Sequence, residues 1–287
     1  MKKNILYKII FNLIIVFSNQ IINLIEFLDE NKDFQFNKKY LFFNLFKVNT
    51  MDLNKNKSNE NSIRIPVITY HRIVSDWEKR KSQYRYNLIA LPKSKFKIQM
   101  KYLKKKGYKT LNCTELYLWY QGKIKLPKKS VLITFDDGTI GQEKYAMPIL
   151  NKLDMKGTSF IIGNRTYNND KGYINYKRIP ELKKLYPNFD FQSHTFDLHI
   201  HLKEDMEDIY NITFNDAVKQ NHYFNFTYLA YPFGKFYSEM KMAYKDVGIK
   251  MAFTYGENGY ANRTQNIYSI RRIKIYSNED FSIWFKK

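Results

Sequence analysis

From Arg64 onward, short apolar runs alternate with amphipathic stretches of about ten residues, and this alternation limits the fold more than any other feature. "RIPVITY", "YKTL", "VLITF", "TSFIIG", "FDFQS", "FTYLAY", "KMAFTY" and "YSIRRIKIY" read as strands. Between the first two, "SKFKIQMKYLKKKG" places Phe96, Met100 and Leu103 on one helical face, with Ser94 as N-cap and Gly107 as the stop. Further helices are expected over 114–120, around "EKYAMPILNKL", over "PELKKLY", in roughly 203–222, and over "SEMKMAYKDVG". Strands separated by helices of this length argue for a parallel sheet with crossover connections. Seven or eight such units fit a distorted (β/α) barrel, closed or partly closed, better than an open sheet.

The 287 residues suffice for one sizeable domain or two small ones, and 44% hydrophobic with 17% aromatic residues calls for a packed body. The net charge of +21 would suit an anionic partner. The lysines are scattered in short pairs, however, and no nucleic-acid-binding signature is present, so no nucleic-acid partner is expected. A single cysteine, Cys113, excludes an internal disulfide and a cysteine-based zinc site; it reads as a small buried residue near a helix start. At the N-terminus, Lys2, Lys3 and Lys8 lead into "IIFNLIIVFSNQIINLI", the pattern of a signal peptide or membrane anchor over 1–25. Asn12, Ser18, Asn19, Gln20 and Asn23 make it a poor full span, and no small-x-small cleavage site follows. Residues 26–62, with "NKNKSNENS", read as a low-complexity linker, and 63–287 as the domain. The expectation is an exported protein held at the membrane or cell surface.

In barrels of parallel strands, chemistry gathers at the C-terminal strand ends. His71, Asp136, Asp137, His194 and the "YPFG" turn all fall there. "LITFDDGT" sets two adjacent acids at the tip of a buried run. Neighbouring strand residues face opposite ways, so the pair can serve two tasks. The plainer alternative is a solvated Asp-Gly turn. Asp137, His194 and His199 are ligand types of a catalytic zinc-type site. A spacing of five between the two histidines does not fit one helix face and implies a loop wrapped around the ion. Three of the five histidines, His194, His199 and His201, cluster after one strand.

"TFDDG" (134–138), "SHTFDLH" (193–199), "LAYPFG" (229–234) and "ITYHRI" (68–73) resemble the motifs of the polysaccharide deacetylases, the NodB homology domain of carbohydrate esterase family 4. The longer histidine spacing and the N-terminal motif are similar to the branch that deacetylates poly-β-1,6-N-acetylglucosamine in intercellular-adhesin and biofilm biosynthesis. The resemblance covers roughly 64–281. It implies a NodB-like barrel and a metal-dependent hydrolase removing N-acetyl groups from an N-acetylglucosamine polysaccharide. One divalent ion is implied, zinc first, with cobalt, nickel or manganese as alternatives. Asp137, His194 and His199 would be its ligands, Asp136 the general base toward water, and His71 the general acid toward the departing amine. The backbone N–H of Phe233 would help hold the oxyanion, and Tyr231 and Phe233 would line the substrate groove. A monomer working at the membrane or cell-wall surface is expected.

The chain departs from the family pattern in two places. Leu229 stands where many members carry an arginine that orients the base, leaving Arg271 or Arg272 to substitute, or no such residue to be needed. No histidine follows His222, which leaves the acid role to His71. Asp197 reads as a loop-ordering acid, His201 as a bystander, and His222 receives no role. The rival readings are a peptidoglycan- or chitin-type N-deacetylase, an inactive polysaccharide-binding domain of the same fold, and a basic membrane- or nucleic-acid-binding protein.

Overall fold

The apolar runs pair into one parallel sheet. The computed structural model describes residues 62–201 and 207–285. Its main strands are β1 (Val67–Tyr70), β2 (Lys109–Leu111), β3 (Ser130–Phe135), β4 (Gly157–Ile161), β5 (Phe189–Ser193), β6 (Tyr228–Ala230), β7 (Met251–Asn258) and β8 (Ile270–Lys274). The order β1-β8-β7-β6-β5-β4-β3 returns to β1 through a pairing that runs from Val67–Leu132 to Tyr70–Phe135, closing seven strands into a barrel. β2 is an eighth strand outside the ring. It pairs with the start of β3, Leu111 opposite Leu132, while β4 joins β3 only at Thr134 and Phe135.

Strand alternation sorts side chains between the barrel interior and the helical layer. Val67, Leu132, Phe160, Ala230, Met251, Phe253 and Ile270 belong to one buried cluster inside the ring, plugged by Leu116 and Trp119 of the helix Cys113–Tyr120. The intervening residues Ile68, Tyr70, Ile133, Phe135 and Ile273 pack outward with Phe96, Met100 and Leu103 of the helix Lys93–Lys105. Following that phase upward, His71, Asp136, His194, Tyr255 and Arg272 are the inward positions of the top layer.

Local chemistry sets the helix ends. Pro92, not Ser94, is the N-cap of Lys93–Lys105; the Ser94 hydroxyl instead bonds Asp76 across a neighbouring turn. Gly107 ends the run at φ +75°, a conformation that favours a residue without Cβ. Asn112 and Glu115 form a reciprocal capping box before Cys113, which is buried as expected. Pro148 lacks an N–H and crowds the carbonyl four residues back, so the expected helix splits into a π-turn at Gln142–Ala146 and an α-helix at Met147–Lys152. The helix expected over roughly 203–222 is described at Ile209–Phe224. The leader over 1–25, the linker up to residue 61 and the side chain of His201 lie outside the described residues. Among the described residues no helix is long and apolar enough to cross a membrane.

Candidate active site

Asp136 and Asp137 leave the tip of β3 in different directions. Asp136 continues the strand phase into the barrel and is 2% exposed. There Arg272 of β8 meets it with both arms, Nη1 to Oδ1 at 2.7 Å and Nη2 to Oδ2 at 2.8 Å, while Nε donates to the Thr254 carbonyl at 2.8 Å. This planar fork fixes the carboxylate geometrically as well as electrostatically. Burial would push the Asp136 carboxyl up, but the Arg272 guanidinium, aided by His194 and His71, outweighs it and holds the carboxyl below its usual range. Of the two candidate arginines, it is Arg272 that reaches Asp136, whereas Leu229 is buried in the outer layer. Arg271, one residue away on the strand, is exposed.

Asp137 takes a left-handed backbone conformation, φ 71°, which breaks the strand phase. Gly138 follows at φ 71° against Ile161, where an added Cβ would sit 2.8 Å from the Ile161 side chain. The turn brings Asp137 Oδ1 to 3.6 Å from His194 Nε2 and 3.3 Å from His199 Nε2. One ligand atom from each of the three residues lies within 4.8 Å of the others. His194 Nδ1 is 2.7 Å from the Ala230 carbonyl oxygen, which can only accept, so Nδ1 carries the proton and Nε2 presents a lone pair. Burial lowers the His194 pKa to about 4, keeping the ring neutral. Burial opposes ionisation of Asp137, yet the imidazoles gathered around it, His199 foremost, hold its carboxyl well below the carboxylate range. Its Oδ1 is buried without a conventional hydrogen bond. A buried carboxylate oxygen facing the lone pair of His194 Nε2, with His199 Nε2 at 3.3 Å, is an arrangement that a divalent cation satisfies, and the donor set fits one.

His71 follows β1, half-buried, with its ring 4.9 Å from Tyr255 and its carbonyl accepting from Thr139 Oγ1 at 3.3 Å and Gln142 Nε2 at 3.2 Å. Gln142 also donates to the Asp136 carbonyl at 2.6 Å and accepts from Ser159 Oγ at 2.6 Å, so one buried amide ties the tips of β1 and β3 together. Phe233 sits in the "YPFG" turn at φ 57°, 58% exposed, with its ring 4.8 Å from His199. Tyr231 corrects the sequence reading. It is fully buried against Phe236 and Tyr244 and cannot line a groove, because it shares the outward phase of Leu229 on β6. Asp197 receives the Asn164 side-chain amide, in keeping with loop ordering, and His222 lies against Tyr223 on its helix. Sequence reasoning overlooked Gln142 and Tyr255. Tyr255 was within reach, two residues beyond inward-facing Phe253; nothing local marked Gln142.

The model of the family described as polysaccharide deacetylase matches residues 123–252. The chain is 32% identical over 204 residues to a poly-β-1,6-N-acetyl-D-glucosamine N-deacetylase of Staphylococcus epidermidis, covering 67% of this chain and 70% of that protein. It is 29% identical over 245 residues to the enzyme of that name from Staphylococcus aureus, covering 77% and 81%. Among solved structures, a Streptococcus pyogenes deacetylase in complex with acetate superimposes with a TM-score of 0.65 at 26% identity, covering 76% of this chain and 94% of that one.

Proposed function

This chain belongs to the polysaccharide deacetylase family, and we propose that it is a metal-dependent N-deacetylase of poly-β-1,6-N-acetylglucosamine. The observation that carries this reading is the separation of two adjacent acids, Asp136 locked on Arg272 and Asp137 turned onto two imidazoles. Asp137, His194 and His199 would hold one divalent ion, zinc in preference to cobalt, nickel or manganese, which would supply Lewis acidity toward the acetamide and the attacking water. Asp136, kept anionic by Arg272, takes a proton from that water. His71 gives a proton to the sugar nitrogen as the C–N bond breaks, so acetate and a free amine leave. The backbone N–H of Phe233, set by the left-handed turn, is the oxyanion donor, and the exposed Phe233 ring is a wall for the glycan.

The reading extends to the cell surface: the basic and apolar pattern of residues 1–25 supports retention of a monomeric enzyme on the outer side of the membrane. The linkage is supported by the names of the staphylococcal relatives. Acetate release from a panel of β-1,6 and β-1,4 N-acetylglucosamine oligomers tests it. Higher kcat/KM on the β-1,6 series is expected; preference for the β-1,4 series would assign the enzyme to peptidoglycan or chitin-type chains instead.

A further inference from the structure

Asp216 is a buried acid that the mechanism leaves unused. It stands in the helix Ile209–Phe224, 8% exposed, and takes three backbone N–H bonds from one loop. Oδ2 accepts from Phe196 N at 2.9 Å, and Oδ1 accepts from Asp197 N at 2.7 Å and Leu198 N at 3.2 Å. These donors are the three residues immediately before His199. A carboxylate buried this deeply needs such bonds, and burial still raises its pKa to about 6 against their pull.

The same loop is fixed from its other side. Gly163 N donates to the Thr195 carbonyl and Asn164 N to the Phe196 carbonyl, each at 2.9 Å. Thr195 is held in a left-handed conformation, φ 66°, with its N–H on Ser193 Oγ at 3.1 Å. A Cβ at Gly163 would lie 2.6 Å from the Phe196 ring, so the loop is seated close against that turn. His194 is placed independently: its N–H bonds the Ile161 carbonyl at 2.9 Å and its ring bonds Ala230. His199 has no such strand to hold it, and the segment leading to it closes on Asp216.

We infer that Asp216 is a positioning residue of the metal centre, gathering the three N–H groups ahead of His199 so that this imidazole meets Asp137 at ligand distance. The inference rests on reading Asp137, His194 and His199 as the ligand set. Without the carboxylate, the loop loses its common acceptor and His199 loses its fixed approach, while His194 keeps both of its anchors. Residues of this kind alter metal affinity about 10- to 100-fold when removed.

The test is zinc binding by the full chain, measured by chelator competition, for wild type, Asp216→Asn, His199→Gln and the double variant. Cobalt-substituted visible spectra would report ligand geometry in the same proteins. The expected result is about 10- to 100-fold weaker zinc binding in Asp216→Asn with an altered cobalt spectrum. The double variant should bind no more weakly than His199→Gln, because both changes remove the same ligand. Zinc affinity and cobalt spectrum unchanged in Asp216→Asn would overturn the inference while leaving the ligand set standing, and so would additive losses in the double variant. A wild-type chain that binds no ion would overturn the ligand set itself and the inference with it. Melting of the metal-free proteins reports folding; should Asp216→Asn not fold, Asp216→Glu, which keeps the charge but lengthens the reach, carries the same comparison.

Discussion

Replacing Arg272 with methionine would keep apolar bulk inside the barrel but strip Asp136 of its partner. Asp136 is 2% exposed and Arg272 fully buried, so neither bond of the fork can be replaced by bulk water. Removing one member of a buried ion pair typically costs about 3–5 kcal/mol, because the other charge is left uncompensated. For a body of this size, that corresponds to a fall in Tm of roughly 6–20 °C. In the wild type the carboxyl is held below its usual range. The stability it contributes is therefore present above the unfolded carboxylate pKa of about 3.9 and is lost as pH falls through the lower folded value. In Arg272→Met burial dominates and raises the carboxyl. Stability then declines as pH rises through that raised value, and the gap to wild type widens from acid toward neutral. Asp136→Asn combined with Arg272→Met removes the stranded charge and should be more stable at neutral pH than Arg272→Met alone. Denaturant unfolding of the three chelated proteins at pH 5 and pH 7.5 measures the gap to wild type and its relief in the double variant. A pH-independent gap, with the double variant no better than the single, would refute the reasoning. In the active enzyme, the acid limb of kcat should move to higher pH in Arg272→Met.

His194 gives a second pH signature. Its folded pKa of about 4 lies below the unfolded value of about 6.5, so the metal-free protein should lose about 3 kcal/mol as pH falls across that window, and His194→Gln should flatten the loss in denaturant titrations. His71→Ala should lower kcat on the glycan by about 10²–10⁴-fold with metal content unchanged, and should lower it much less on an activated acetate ester, whose leaving group needs no proton; equal losses would return His71 to a structural role. Tyr231→Phe should leave KM unchanged and stability within about 1 kcal/mol or improved, since the buried Tyr231 hydroxyl has no hydrogen-bond partner, whereas Phe233→Ala should raise KM for the oligomer in steady-state kinetics.

Much of the fold was legible because barrel strands buried on both faces must be apolar, and each carries its chemistry just past its last apolar residue. β3 shows this with Asp136 directly after Phe135, and on β5 His194 directly follows the last strand residue, Ser193. Strand phase was legible too, although not fully exploited. On β8, Ile270 faces inward, which places Arg272 beside Asp136 and Arg271 on the surface; the same alternation on β6 turns Tyr231 outward with Leu229. Long-range contacts left no local mark. Gln142 reaches back to two strand tips from a π-turn, and Asp216 meets its loop across 18 to 20 residues, through backbone groups that any sequence would supply. The ring count was ambiguous for a physical reason, since β2 pairs with β3 without entering the closed barrel.

The division of labour between Asp136 and Asp137 is the centre of the account, and one comparison tests it most directly: zinc affinity and acetate release, measured side by side in Asp136→Asn and Asp137→Asn. Asp136→Asn should bind zinc as wild type does yet release acetate at least about 10²-fold more slowly, because an amide cannot take the proton from water. Asp137→Asn should lose zinc first, and activity with it. Equal zinc affinity in the two variants, or full acetate release by Asp136→Asn, would contradict the account.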